Sequence, residues 1–312
     1  MADSAKPLPI ILLAGPTASG KTRLAIDLAR ELGTEIVNAD SMQVYRHMDI
    51  GAAKPTPEER ALAKHHLLDA ADPNEPFDAA RYLELARPVV EALHRKGKVP
   101  LVVGGTGLYM KVLTRGICEG PPADAVLRAR ISAELKERGL AALRAELEAV
   151  DPVLARRIHP NDRQRIVRAV EVFRATGKPL STWQELHGFQ ESRYTALKLF
   201  LHREREDLYR RIDRRTLRMV EAGLADEVRQ LLAMGYGPEL KPMQSLGYRQ
   251  MTDHLLGKID LEEAVRQIQR DTRHYAKRQI TWFRGDPEFR WVDAEKREEI
   301  FRVVLEELRR ML

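Results

Sequence analysis

Residues 9–15 read Pro-Ile-Ile-Leu-Leu-Ala-Gly, an apolar run with no polar alternation. Such a run predicts a short strand buried on both faces, as in parallel sheets. A helix is expected from about Lys21. Leu24, Leu28 and Leu32 keep four-residue spacing, and Gly33 is its natural stop. Residues 35–40 (Glu-Ile-Val-Asn-Ala-Asp) read as a second strand, and Val99–Val103 as a third that enters Gly104-Gly105-Thr106-Gly107. Strand–helix–strand alternation predicts a doubly wound α/β fold with a parallel sheet flanked by helices. The pattern changes near Pro121-Pro122. Residues 123–182 are helical in period, rich in Ala, Leu, Arg and Glu, and hold no convincing strand. Residues 194–201 return to the sheet, and long helices run on to the C-terminus. The expected organisation is a core in two parts, 1–118 and 194–312, interrupted by an all-helical insertion at 119–193. The second part ends in basic helices.

With 312 residues, 44% hydrophobic and 31% charged, the chain has a soft prior of two domains at roughly 150 residues each. Collagen-like and wholly disordered classes are excluded. The single cysteine, Cys118, permits no internal disulfide or cysteine zinc cluster and suits a reducing compartment. No run is long enough for a signal sequence or a membrane span. A cytoplasmic setting with no membrane partner is therefore expected. The sequence does not fix oligomeric state, and a monomer is the preferred expectation. Net charge is only +6, but it is concentrated. Residues 156–168 carry five arginines against Asp162, and residues 266–284 carry six cations against Asp271. Arg266, Arg270, Arg273 and Lys277 form one helical stripe, with Leu261, Val265, Ile268, Thr272 and Tyr275 as the inward anchor. The two readings are a phosphate-rich partner and solvated helix faces.

Gly15-Pro16-Thr17-Ala18-Ser19-Gly20-Lys21-Thr22 matches the phosphate-loop pattern G-x-x-x-x-G-K-S/T. It lies where the mechanism needs it, after a buried strand and at the start of a helix. Its glycines let backbone N–H groups turn onto phosphate oxygens, and the helix N-terminus adds its dipole. Lys21 supplies a point charge, and the Thr22 hydroxyl can ligate Mg²⁺. The phosphate's owner is open. The third strand ends in Gly104-Gly105, where an ATPase would carry an acid. The acid ends the second strand instead, at Asp40. Ligands of open α/β sheets bind outside the carboxyl ends of the strands, so Asp40 is a candidate Mg²⁺ ligand or general base. His65-His66 and His159 lack a carboxylate at ligand spacing, and no metal site is expected there.

Five strings in one order sharpen this reading: Gly15–Thr22; Asp40-Ser41-Met42-Gln43-Val44-Tyr45; Gly104-Gly105-Thr106-Gly107-Leu108-Tyr109; Gly247-Tyr248-Arg249-Gln250; and Lys277-Arg278-Gln279-Ile280-Thr281-Trp282-Phe283-Arg284. Together they resemble the bacterial tRNA dimethylallyltransferase family over nearly the whole chain. Residues 51–55 and 158–162 resemble it too. The resemblance implies a phosphate-loop core and transfer of a dimethylallyl group from dimethylallyl diphosphate to N6 of an adenosine. That adenosine lies immediately 3′ of the anticodon in a tRNA stem-loop. The loop then holds a diphosphate leaving group, with Mg²⁺ on Thr22.

By the same resemblance, Asp40 accepts a proton from N6, and Thr106 positions the reacting site. The competing roles are a turn-capping acid for Asp40 and a helix N-cap for Thr106. Residues 203–218 hold seven arginines. Arg215 first and Arg211 second are expected to reach the diphosphate. Implied tRNA contacts are Asp40, Ser41, Met42, Gln43, Thr106 and Arg128. Gln164, Arg165, Ile166, Val167 and Arg168 extend the set, as do Gly247–Gln250 and Lys277–Arg284. Trp282 has two readings, a base-stacking ring and a core residue. Three rival functions remain: a small-molecule kinase, a prenyltransferase acting on free adenylates, and a non-catalytic RNA binder.

Overall fold

The computed structural model describes residues 7–117, 124–188 and 193–312. Cys118 and the Pro121-Pro122 boundary lie outside the described residues. In chain order the elements are β1 (Leu8–Ala14), α1 (Lys21–Glu31), β2 (Ile36–Asn38), α2 (Pro57–Leu62), β3 (His65–His66), α3 (Ala79–Arg95), β4 (Leu101–Gly104) and α4 (Gly107–Arg115). Four helices follow: α5 (Ala125–Val150), α6 (Pro152–Arg157), α7 (Arg163–Thr176) and α8 (Leu180–His187). The chain then forms β5 (Tyr194–His202), α9 (Arg205–Glu221), α10 (Leu224–Ala233), α11 (Tyr248–Leu255), α12 (Leu261–Arg284), β6 (Arg290–Asp293) and α13 (Arg297–Met311).

The six strands form one parallel sheet in the order β3-β2-β4-β1-β5-β6. β1 is central. Its residues Ile10–Ala14 are buried because each face is covered. On one face Ile11 and Leu13 pack with Leu24 and Leu28 of α1 and with Ile300 and Val304 of α13. The carboxyl ends of β1, β2, β4 and β5 therefore lie side by side. Two elements escaped the sequence pattern. β3 is only two residues long, and β6 interrupts what reads as continuous C-terminal helix. Neither is long enough to show a period.

The described residues divide into two compact units, with boundaries at residues 114/115 and 191/192. The smaller is helical. Ile131, Leu143, Leu147, Leu154, Ile166 and Val170 form its own apolar core. Its first helix breaks its helical backbone at Gly139, whose φ is 75°.

Candidate functional site

The phosphate loop joins β1 to α1. Lys21 donates from Nζ to the Gly15 and Pro16 carbonyls, at 2.7 and 2.8 Å. Burial pushes its pKa down to about 7. Asp40 opposes that shift and the Arg215 guanidinium adds to it. Three arginines grip the loop from outside it. Arg203 Nε donates to the Ser19 carbonyl (2.8 Å), Arg211 Nε to the Ala18 carbonyl (2.9 Å), and Arg215 Nη1 to the Thr17 hydroxyl (3.2 Å). Arg211 and Arg215 sit one turn apart on α9, so both reach the same loop. Burial lowers the pKa of both guanidiniums. The Ser19 hydroxyl is buried inside the loop with no partner among the described residues. A ligand with oxygen acceptors would satisfy it.

Asp40 follows β2. Its Oδ1 accepts from the Met42 amide at 2.9 Å and, more weakly, from the Gln43 amide at 3.4 Å. The turn-capping role therefore holds for one oxygen. Among the described residues no hydrogen bond reaches the other. Thr106 precedes α4, but its hydroxyl does not cap that helix. It accepts the Ser41 amide at 3.0 Å and so ties the β4 turn to the β2 turn. Gly104 explains why β4 carries no acid. A Cβ there would stand 2.0 Å from the Ala39 carbonyl oxygen, so the two strand ends touch.

A cavity of about 870 Å³ joins these groups. Thr17–Thr22, Asp40–Gln43, Gly51–Ala53, Arg211, Arg215, Arg218, Arg278 and Gln279 line it. Ile268, Thr272 and Tyr275 also line it, so this side of α12 is a cavity wall as well as an anchor. Tyr275 stays protonated: burial and the charge of Asp40 both raise its pKa. The sequence pattern does not single out Glu227, which belongs to no recognisable local string. It gives Arg203 only as one of seven arginines and Tyr275 only as an inward anchor, whereas Arg203 holds the phosphate loop and Tyr275 lines the cavity.

Several expected tRNA contacts lie elsewhere. Phe283, Tyr248, Gln250 and Ile166 are wholly buried, so their side chains cannot face an RNA. Phe283 packs on Phe200 and Phe289. Trp282 lies over Gly107, where a Cβ would meet its ring at 2.1 Å, which is the packing role. Ile280 is half-buried against the α9 cluster. Thr281 is exposed, with its hydroxyl on the Lys277 carbonyl, and Arg284 stacks on Trp291. Arg249 pairs with Asp271 and Gly247 caps α11, but these two do line the cavity. In the helical unit Gln164 and Arg165 are exposed and Val167 is half-buried. Arg128 and Arg168 both pair with Glu171.

The basic stripe on α12 is also partly neutralised. Arg266 pairs with Glu262 and Glu263, Arg270 with Asp271, and Arg273 with Asp213 of α9. The count of charges over 266–284 included Asp271 but not Glu262, Glu263 and Asp213, which lie one turn earlier or on another helix. Lys277 and Arg278 remain exposed. Leu261, expected as an anchor, opens the helix and is exposed, while Ala264, Ile268, Ala276, Gln279 and Phe283 are buried.

His65 and His66 are engaged by the Ala63 carbonyl and Glu35. Among the described residues no three His, Cys, Asp or Glu side chains cluster as metal ligands. The cavity offers the Thr22 hydroxyl and the second Asp40 oxygen. That sparse oxygen set fits Mg²⁺, which keeps waters and binds mainly through substrate phosphates. No helix of the described residues is long and apolar enough to cross a membrane.

Comparison with known proteins finds one family and a set of similar chains. The IPP transferase family matches residues 43–286. A tRNA dimethylallyltransferase of Syntrophobacter fumaroxidans is 65% identical, over 92% of this chain and 84% of that protein. The crystal structure of the full-length tRNA isopentenylpyrophosphate transferase from Bacillus halodurans superposes with a TM-score of 0.72 at 38% identity, covering 97% of each chain. The Staphylococcus epidermidis tRNA delta(2)-isopentenylpyrophosphate transferase gives 0.71 at 33% identity, covering 97% of this chain and 100% of that one.

Proposed function

The chain belongs to the IPP transferase family, and from that premise we propose that it transfers a dimethylallyl group from dimethylallyl diphosphate to N6 of the adenosine immediately 3′ of the tRNA anticodon. One observation carries the mechanism: the Asp40 carboxylate and the arginine-gripped phosphate loop face one cavity.

The allylic C–O bond breaks as the N6–C bond forms, and both electrons of the broken bond leave with diphosphate. Loop amides, Lys21, Arg211 and Arg215 surround the place where that negative charge grows. They stabilise it more in the transition state than in the ground state. Burial has lowered the Lys21 pKa to about 7, and arriving diphosphate favours its protonated form. N6 is a weak nucleophile because its lone pair is delocalised. The second Asp40 oxygen takes the N6 proton as the C–N bond forms. Thr22 would hold Mg²⁺ on the diphosphate, where the ion supplies charge neutralisation when bound.

An adenine must leave its stack to enter such a cavity. Exposed Arg156, Arg157, Arg163 and Arg165 of the helical unit, and Lys277 and Arg278 of α12, are assigned to tRNA phosphates on this reading. The enzyme works as a monomer in the cytoplasm, where its tRNA is.

The test incubates the protein with dimethylallyl diphosphate, Mg²⁺ and either bulk tRNA or AMP, then digests and weighs the nucleosides. Prenylated adenosine from tRNA alone is the expected result. Prenylated AMP points to free adenylates, and ATP consumption without prenylation points to a kinase.

A further inference from the structure

Residues 49–53 form a turn that gives three residues, Gly51–Ala53, to the cavity wall. Its backbone is held in an unusual way. Glu227 of α10 accepts the Asp49 and Ile50 amides through Oε2, at 2.8 and 2.7 Å. Its Oε1 accepts the Gly51 amide at 3.0 Å and the Tyr248 hydroxyl at 2.7 Å. The Tyr248 oxygen in turn accepts the Ala52 amide at 3.1 Å. Four consecutive N–H groups thus converge on one carboxylate–phenol pair. Convergent amides of this kind make an anion-binding concavity. Here the protein fills that concavity with its own carboxylate.

The opposite edge of the turn faces Gln43. The Gln43 side-chain nitrogen donates to the Ala52 and Ala53 carbonyls, at 3.3 and 3.0 Å. Its backbone amide points at Asp40 Oδ1. The clamp, the turn, Gln43 and Asp40 are one continuous hydrogen-bonded wall. Gly51 is part of the fit. A Cβ there would stand 2.5 Å from the Tyr248 ring, so any side chain displaces the phenol. The phosphate loop is braced separately, by Arg203, Arg211, Arg215 and Gln279.

We infer that Glu227, with Tyr248 as its partner, is a positioning residue for the acceptor side of the cavity. It sets the turn of residues 49–53, and through it the orientation of the Gln43 amide beside Asp40, without touching the donor's diphosphate. The inference rests on the transfer reaction proposed above. It assigns Tyr248 of the Gly247–Gln250 string to the clamp rather than to base contact.

The experiment measures kcat and the separate KM values for tRNA and dimethylallyl diphosphate in the full chain. Glu227→Gln replaces an acceptor of four donors with an amide that repels two of them. It is expected to raise the tRNA KM about tenfold or more, with the donor KM within about twofold. Tyr248→Phe should shift the tRNA KM in the same direction by about threefold, because three amides keep their carboxylate. Gly51→Ala breaks the clamp from the other side and should reproduce the Glu227→Gln split, which keeps the test open if that variant does not fold. A rise in donor KM equal to that for tRNA, or three unchanged parameters, overturns the inference. Wild-type protein that prenylates no tRNA overturns the proposed reaction and the inference with it. Active wild type whose variants lack the split overturns the inference alone.

Discussion

Gln279 on α12 accepts the Thr17 amide at 2.9 Å, across 262 residues of chain. Its side-chain nitrogen donates to the Gly105 carbonyl at 3.1 Å, so one buried amide joins the phosphate loop to the turn after β4. Gln279→Leu leaves both groups unpartnered at a cost of about 1–3 kcal/mol each. A lower thermal midpoint and a raised donor KM are expected. Normal values of both in calorimetry and kinetics would remove Gln279 from the loop's support.

Asp40→Asn keeps an Oδ1 acceptor for the Met42 amide but cannot take a proton. Single-turnover transfer should fall by about 10²–10⁴-fold, with tRNA and donor affinities changed by less than about tenfold. If Asp40 instead acts through Mg²⁺, raised Mg²⁺ restores much of the rate. Unaltered chemistry at ordinary Mg²⁺ leaves Asp40 as the cap of its turn and nothing more.

Lys21 carries a pH signature. In the free protein burial holds its pKa at about 7, and bound diphosphate raises it. Below about pH 7 the lysine is already charged and donor binding takes up no proton there. As pH rises through that value, binding must add a proton, so affinity weakens by up to about one log unit per pH unit. The dependence ends at the raised pKa of the complex. Titrations from pH 6 to 9 compared with Lys21→Met isolate this contribution. Equal pH slopes in the two proteins would contradict it.

The α12 stripe should divide by its ion pairs. Lys277 and Arg278 are exposed, whereas Arg273 is bound to Asp213. Neutralising Lys277 and Arg278 together should flatten the salt dependence of tRNA binding by about 0.7–0.9 log units per lost phosphate contact. Arg273→Gln should act chiefly on stability, by unpairing Asp213. An undiminished salt slope in the double variant would place the stripe among solvated faces.

Much of the fold was legible because its signals are local. A strand covered on both faces must be continuously apolar, so β1 announces itself at Ile10–Ala14. The phosphate loop is a single contiguous string, recognisable from residues 15–22 alone. Asp40 follows from the rule that strand ends converge on one edge of a parallel sheet. The two-residue β3 and the four-residue β6 carry too few positions to show any period.

The sequence by itself determined which chemical groups this protein owns and on which elements they ride: the loop of residues 15–22, the acid after β2 and the arginines of α9. The tertiary structure alone decided what each group faces. Tyr248, Phe283 and Trp282 stand in strings that resemble functional motifs, yet they pack against Gly51, Phe200 and Gly107. Arg273 looks like part of a free basic stripe until α9 brings Asp213 against it. Glu227 belongs to no recognisable string, and its role exists only because folding sets four donors from distant residues around one carboxylate. Hydrogen bonds and ion pairs act over a few ångströms in space, whatever the separation along the chain.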